Sequence, residues 1–354
     1  MKPRIFAKSE SLIPPVTLAL LAAGALPATA QVKLPPLKFE EAEKQGYFIR
    51  LGPRVQFNVE ASIAMVPQTQ QLPGSYDNGS VLPDAGGLAS GLTWNWGYQD
   101  ASQLNGDFIN YERYSNLPHA GVFTSGSDDP MLGGEVLFGV EFGRFNVGTK
   151  EFTWGAEIGY GFTPFKLSNS STASGTVDYL AASHSLGGIL PPVAPYQGTY
   201  DGPGPLMSLA PTTSTSLSSA ATSTFDGTLK SDLHVMKIGF WFEAPLTQKL
   251  SASLSLGYSS VLAETRFEFT EVTSITNPGI PALNPTQASA SASGWQGGFY
   301  GQLRGTWQFS KHWGAYVAGD YQYNNEFRFT EAGRDVTLDF QSTYGAGLGL
   351  IFSW

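Results

Sequence analysis

The stretch "FTWGAEIGYGFT" alternates ring-bearing or aliphatic residues with glycine, glutamate and threonine on a strict two-residue period. Phe152, Trp154, Ala156, Ile158, Tyr160 and Phe162 fall on one side; Thr153, Gly155, Glu157, Gly159, Gly161 and Thr163 fall on the other. Period two is the mark of a β-strand, whose successive side chains point to opposite faces. These faces differ too much for a sandwich surface. They suit a strand whose rings meet lipid while its small and charged residues line a lumen.

Seven further segments carry the pattern. Tyr47, Ile49, Leu51, Val55, Phe57 and Val59 oppose Arg50, Arg54, Gln56, Asn58 and Glu60, with Pro53 tolerable near a strand end or a bulge. Val136, Phe138, Val140 and Phe142 oppose Glu135, Gly139, Glu141 and Gly143, and the short link "NVGTK" to Phe152 reads as a hairpin. Met236, Ile238, Phe240 and Phe242 oppose Lys237, Gly239, Trp241 and Glu243; Leu250, Leu254, Leu256 and Tyr258 oppose Ser251, Ser253, Ser255 and Ser259. Past Ala263 the apolar phase shifts to Phe267 and Phe269, which predicts a bulge or emergence from the membrane. Trp295, Phe299, Leu303 and Trp307 oppose Gln302, Arg304 and Thr306. After "SK", Trp313, Val317, Tyr321, Tyr323, Phe327 and Phe329 oppose Asp320, Gln322, Asn324, Glu326 and Arg328. Finally Val336, Leu338, Phe340, Tyr344, Leu348, Leu350, Phe352 and Trp354 oppose Asp335, Asp339, Gly345, Gly347 and Gly349.

The predicted fold is all-β: a transmembrane antiparallel up-and-down β-barrel of eight strands over residues 47–354. The connections 61–132 and 168–228 are predicted as long extracellular loops, because barrels pair short periplasmic turns with longer outer loops. The second is rich in Ser, Thr, Pro and Gly and reads as low-complexity loop. The first contains "GLTWNWGYQD", which could form one more hairpin with "DFINYERYSNL" and raise the count to ten.

Residues 1–30 are set apart. Lys2, Arg4 and Lys8 precede the apolar run Leu12 to Leu26, and Ala28 and Ala30 occupy small-residue cleavage positions, a Sec-type export signal. Residues 31–46, polar and interrupted by proline, are expected as a periplasmic lead-in. No segment reaches the roughly 18–20 continuous apolar residues of a spanning helix, so a membrane form must be a closed barrel. The chain carries a formal net charge of −9, which gives it little electrostatic reason to bind nucleic acid.

The export signal, the strand count, the boundary rings and the final alternation of Tyr344, Leu348, Leu350, Phe352 and Trp354 resemble the small outer-membrane β-barrels of Gram-negative-type bacteria, of the OmpA-transmembrane-domain, OmpW and OmpX kind. In that resemblance the terminal row is an assembly signal, although Trp354 stands where Phe is usual. The resemblance implies the bacterial cell outer membrane as location. It implies outer-membrane lipids, the barrel assembly machinery and periplasmic chaperones as partners.

The predicted inward face offers Arg50, Arg54, Glu141, Glu157, Lys237, Arg304, Asp320, Glu326, Arg328 and Asp339 as a polar network. An eight-stranded interior is narrow enough for side chains to fill, so these charges are expected to compensate one another. A structural or surface-interaction role follows, with a narrow porin or small-solute channel as the alternative and a barrel lipid-modifying enzyme behind it. Enzyme chemistry is not expected: His119, His184, His234 and His312 lack metal-ligand spacing, and there is no Cys for a thiolate. The stripe Ser251, Ser253, Ser255 and Ser259 reads as lumen lining. No cofactor and no metal site are expected. Trp154, Trp295, Trp307, Trp313 and Trp354 read as interfacial girdles. Trp94, Trp96 and Tyr98, in an outer connection, are candidates for surface binding, for capping the mouth or for beginning the extra hairpin.

Overall fold

Glycine and small polar residues on one strand face let eight strands curl until the first meets the last. The computed structural model describes residues 39–41, 46–66, 72–86, 91–147 and 150–354. The barrel strands are β1 (Tyr47–Phe57), β2 (Met131–Val147), β3 (Lys150–Ser185), β4 (Thr213–Pro245), β5 (Leu250–Ile275), β6 (Thr286–Gln308), β7 (Trp313–Asn324) and β8 (Thr343–Ser353). All neighbours are antiparallel, and β8 pairs back onto β1, so the ring is closed with eight strands. The expected leader, 1–30, lies outside the described residues. Within 31–46, Phe39–Glu41 forms a short strand on β2.

Pro53 sits at the closing seam. The β1–β8 register runs from Phe48↔Ser353 to Leu51↔Leu350, skips Gly52 and Pro53, and resumes at Arg54↔Gly347. Proline has no N–H to donate, so the ladder opens where it stands. Gly52 makes the approach possible, since a Cβ there would overlap the Leu348 carbonyl oxygen.

The segment 168–228, expected as loop, is instead mostly strand. β3 and β4 pair from Thr153↔Glu243 to Ser183↔Thr213 with no register shift. Its serines and threonines alternate with apolar residues that face inward, among them Val177, Ala221 and Phe225. Ser and Thr on the outer face gave the low-complexity look; the period of two was present beneath it.

The same strands explain the change of phase past Ala263. β4 and β5 pair without a shift from Ala221↔Ile275 to Pro245↔Ser251, so there is no bulge. What changes is which face is apolar. Near the short-turn end Ile238, Phe240, Leu254 and Leu256 point outward and are exposed. Farther out, Val235, Leu233, Leu229, Val261, Ala263 and Phe267 point inward and are buried. A lipid solvent favours apolar outside and water favours apolar inside, so this inversion marks the outer edge of the membrane.

Beyond that edge a second sheet fills the space inside the tall wall. It has the order 123–127, Glu60–Met65, Arg334–Asp339, Phe327–Glu331. Val59, Ile63, Phe327, Val336, Leu338 and Phe340 pack from it and its flanks against Phe225, Leu233, Val261 and Phe267 of the wall. The last two barrel strands are therefore shorter than the alternation predicts. β7 ends at Asn324 and β8 begins at Thr343, and Phe327, Val336, Leu338 and Phe340 face a protein core instead of lipid. Asn58, in the left-handed region at φ 64°, turns the chain from β1 into this sheet.

Candidate functional site: the lumen and its cap

The lumen is stacked in layers. At the short-turn mouth a depression of about 320 Å³ is lined by Glu141, Glu243, Lys311, His312 and Trp354, among others. Above it Phe48, Trp241 and Ile351 form a small apolar cluster. The Phe48 and Trp241 rings meet edge to face with centroids 5.4 Å apart, and the Trp241 indole donates to the Ala156 carbonyl at 3.1 Å. The Arg50 guanidinium lies 4.0 Å from the Phe48 ring centroid, which joins this cluster to the charges above.

Two ion-pair groups occupy the next layers. Glu157 accepts from the Tyr300 hydroxyl at 3.0 Å and from Arg50 at 3.5 Å, with Arg304 at 3.7 Å. Arg54 donates to Asp320 at 2.6 Å; Lys237 donates to Glu135 at 2.5 Å and lies 3.9 Å from Asp320; Gln322 donates to Asp320 at 2.8 Å. All the charged members are buried. Charges held this far from water persist only when paired and hydrogen-bonded, and these bonds link β1, β2, β3, β4, β6 and β7 across the section. Gly345 leaves the room for the Arg54–Asp320 pair, since a Cβ there would press on both side chains.

Of the ten residues predicted for the network, Arg50, Arg54, Glu157, Lys237, Arg304 and Asp320 are brought together. The other four stand apart. Glu141 pairs at 2.9 Å with Arg144 at the short-turn rim. Glu326 and Arg328 pair with each other at 2.7 Å on the partly exposed side of the second sheet. The Asp339 carboxylate accepts from the Gln341 backbone at 2.7 Å. Glu326, Arg328 and Asp339 separate because the chain leaves the barrel between Asn324 and Thr343, whereas Glu141 stays on its barrel strand but at the rim. Glu135 and Tyr300 were on the inward phase of their segments, and that phase alone was the signal for them.

A further buried charge, Arg334, locks the inner sheet to the wall. It donates to Glu271 at 2.6 Å and to the Ala120 carbonyl at 2.8 Å, with its guanidinium 4.6 Å and 4.9 Å from the Phe225 and Phe269 ring centroids. Sequence reasoning gave no sign of it, because the Arg334–Asp339 segment read as barrel strand.

At the outer end of β3 and β4 stands a small cap. Trp96 and Tyr98 lie in the strand Trp96–Tyr98, paired with Gly79–Val81 and Tyr196–Gln197. Both are buried, with Val81, Ile109, Tyr111, Leu186 and Met207 around them. The Trp96 indole donates to the Pro205 carbonyl at 2.7 Å, and the Tyr98 hydroxyl donates to that of Pro192. Trp94 is half-buried; its backbone N–H donates to Asp84 and its indole to the Tyr200 carbonyl. Trp96 and Tyr98 are core of the cap, not a free binding face, and Trp94 sits at its edge. They form no barrel hairpin either: Phe108–Ser115 pairs with the far end of β3, outside the ring.

The terminal row is divided between lipid and rim. Tyr344, Leu348 and Leu350 are exposed on the outer wall, while Phe352 packs on Trp313 with centroids 4.9 Å apart. Trp354 stacks on Tyr47 at 5.9 Å, so the last residue closes on the first strand. Trp295, Trp307 and Trp313 also point outward and are exposed, while Trp154 is half-buried. Among the described residues no group of three His, Cys, Asp or Glu is arranged to hold a metal ion.

No protein-family model and no curated protein matches the chain. Among solved structures, it is similar to the outer membrane protein OprG from Pseudomonas aeruginosa, at 11% identity and TM-score 0.35, covering 88% of this chain and 96% of that one. It is similar to Ail, the attachment invasion locus protein of Yersinia pestis, at 7% identity and TM-score 0.27, covering 88% and 99%. It is similar to the outer membrane protease OmpT from Escherichia coli, at 10% identity and TM-score 0.27, covering 90% and 98%. Likeness at this level adds nothing to what the ring of strands already states. The closed ring, the outward apolar belt and the polar, filled lumen make this chain an outer-membrane β-barrel protein.

Proposed function

We propose that the protein is a sealed barrel of the bacterial outer membrane that anchors and displays its extracellular wall and cap, a structural or surface-interaction role without a catalytic cycle. The observation that carries this reading is the double closure of the bore. Six strands are tied across the lumen by the Arg50–Glu157–Arg304 and Arg54–Asp320–Lys237–Glu135 groups, and above them an apolar sandwich fills the wall. A solute path would have to break both.

The display part of the reading draws on the cap. Leu190 and Val193 are about as exposed as side chains can be, at 91% and 90%, at the end of a well-packed module. These two side chains offer an apolar point of contact at the outermost surface. In this reading the outward row of Tyr344, Leu348 and Leu350 serves recognition by the barrel assembly machinery, with periplasmic chaperones carrying the unfolded chain.

Planar-bilayer recording of the purified mature protein tests the proposal. The expected trace is flat even at high salt. Discrete, reproducible single-channel openings would overturn it in favour of a narrow porin.

A further inference from the structure

The connection 187–206 of the cap reads "GGILPPVAPYQGTYDGPGPL" and lies over a row of rings. The Tyr98 hydroxyl donates to the Pro192 carbonyl, the Trp94 indole to that of Tyr200 at 3.2 Å and the Trp96 indole to that of Pro205 at 2.7 Å. The Gly198 N–H donates to the Trp96 carbonyl at 2.8 Å, and the Ala85 N–H to the Tyr200 carbonyl at 2.9 Å. Its prolines fix φ and its carbonyls are held at these points, so the connection keeps one shape. Leu190, Val193, Tyr200 and Leu206 stay exposed on it. Large apolar side chains on one braced segment are a preorganised contact, with little ordering left to do when a partner arrives.

The cap around them is acidic. The sequence has no Lys or Arg between Arg54 and Arg113, nor between Lys166 and Lys230, and these two stretches build the cap together with the strand Phe108–Ser115. Arg113, on that strand, is half-buried, and His184 is buried. Asp77, Asp100, Asp107 and Asp201 are exposed. Two of these carboxylates flank the apolar side chains. Asp107 accepts from the Gly188 N–H at 2.7 Å and from the Ser185 hydroxyl at 3.0 Å, which sets it beside the segment that carries Leu190. Asp201 follows Tyr200 directly.

We propose that this surface binds a cationic amphipathic peptide segment. The apolar stripe of the peptide covers Leu190, Val193 and Tyr200, and lysines or arginines beside the stripe lie toward Asp107 and Asp201. The acidic field draws the peptide in and orients it, while the apolar contact holds it. Charge also decides against the other occupants of an apolar surface. A second copy brings the same carboxylates, and an anionic bilayer repels them. The inference rests on the display role proposed above and names the chemistry of the partner.

The test uses the full mature chain in nanodiscs of zwitterionic lipid, with empty nanodiscs as the reference because amphipathic peptides also bind lipid. The probes are a labelled Leu/Lys amphipathic peptide, its Leu/Glu counterpart, which keeps the apolar stripe and reverses the charge, and phosphatidylglycerol vesicles. Fluorescence anisotropy reads the affinity for the peptides. The wild-type chain is expected to bind the Leu/Lys peptide above the empty-nanodisc level and to leave the Leu/Glu peptide at that level. The L190S/V193S variant is expected to bind roughly 100-fold more weakly, at about tenfold for each apolar side chain covered. Asp201→Asn, and raising NaCl from about 0.05 M to about 0.5 M, are each expected to weaken binding several-fold. Leu246→Ser, an exposed apolar residue in the turn 246–249 at the other end of the molecule, is expected to change nothing. Equal binding of both peptides, or binding unaffected by L190S/V193S, would overturn the proposal. So would a preference for the vesicles, or sedimenting dimers that L190S/V193S abolishes, which would mark a lipid surface or a second copy as the occupant. The preference for the Leu/Lys over the Leu/Glu peptide is read on the wild-type chain, so a misfolded variant leaves the test intact. A flat bilayer trace with no peptide binding sinks this inference alone; single-channel openings sink the sealed-barrel reading alone.

Discussion

Arg54 of β1 and Asp320 of β7 meet in the lumen at 2.6 Å, both buried, across the strand that closes the barrel between them. The pair ties the first strand to the seventh past β8, so the seam weakened at Pro53 is bridged from inside.

Removing Arg54 leaves the buried Asp320 carboxylate with only the Gln322 donor at 2.8 Å and the Lys237 ammonium at 3.9 Å. Arg54→Ala is expected to destabilise the folded barrel by about 3–5 kcal/mol. Urea unfolding in lipid vesicles, followed by tryptophan fluorescence, measures it. A change within error would show that the pair contributes little to stability.

The seam itself sets a steric limit. Gly52→Val is expected to prevent closure, because its Cβ would overlap the Leu348 carbonyl and crowd Gly349. Gly319→Ala is expected to fold normally, with only the Gly345 carbonyl 3.9 Å from the added carbon. The heat-dependent shift of a folded barrel on an unboiled gel separates the two.

Above the membrane, Phe225→Ala removes the buried ring under Arg334. The expected cost is about 3–5 kcal/mol for an aromatic deletion in a packed core. The barrel itself should survive. Limited proteolysis is expected to cut the exposed turn at Ala332–Gly333, which protrudes between the two inner-sheet strands, while the membrane portion stays resistant. An unchanged digestion pattern would mean the sheet holds without that ring.

The cap should respond to acid. His184 is buried, with Nε2 3.1 Å from the Tyr76 hydroxyl and Nδ1 3.0 Å from the Ser208 carbonyl. Burial holds its pKa below the ordinary 6.5, with the Ser208 bond opposing that in part. The unfolded cap therefore takes up the proton first. Its stability is complete above about pH 6.5 and falls as pH drops from there toward the folded value. The protection of amides in residues 185–210, taken relative to the base-catalysed intrinsic exchange rate at each pH, is expected to fall on going from pH 7.5 to 5.5, and His184→Gln is expected to flatten that dependence.

Much of the barrel was legible in the chain because period two is insensitive to context. Arg50, Arg54, Glu157, Lys237, Arg304 and Asp320 could be assigned to one face from phase alone, and the structure brings them together. Periodicity separates two faces, but it does not say which solvent each one meets. Val336, Leu338 and Phe340 alternate as well as Leu348 and Leu350 do, yet three face a protein core and two face lipid. The same ambiguity hid the tall wall, where serine and threonine on the water side looked like loop. The cap was opaque for a different reason. Its strands are two or three residues long, and they are held by indole and phenol bonds to Pro205 and Pro192 that no local pattern encodes.

The ladder of β3 and β4, unbroken from Thr153↔Glu243 to Ser183↔Thr213, has one further consequence for the molecule. It contains no hinge between the cap and the bilayer. Roughly 20 residues of each strand beyond the belt, at 3.3–3.4 Å apiece, make an arm on the order of 70 Å along the strands. A lateral pull at the cap arrives at the belt as torque, and the barrel answers by tilting as one body. What touches the outermost turns can thus be felt by the surrounding lipid.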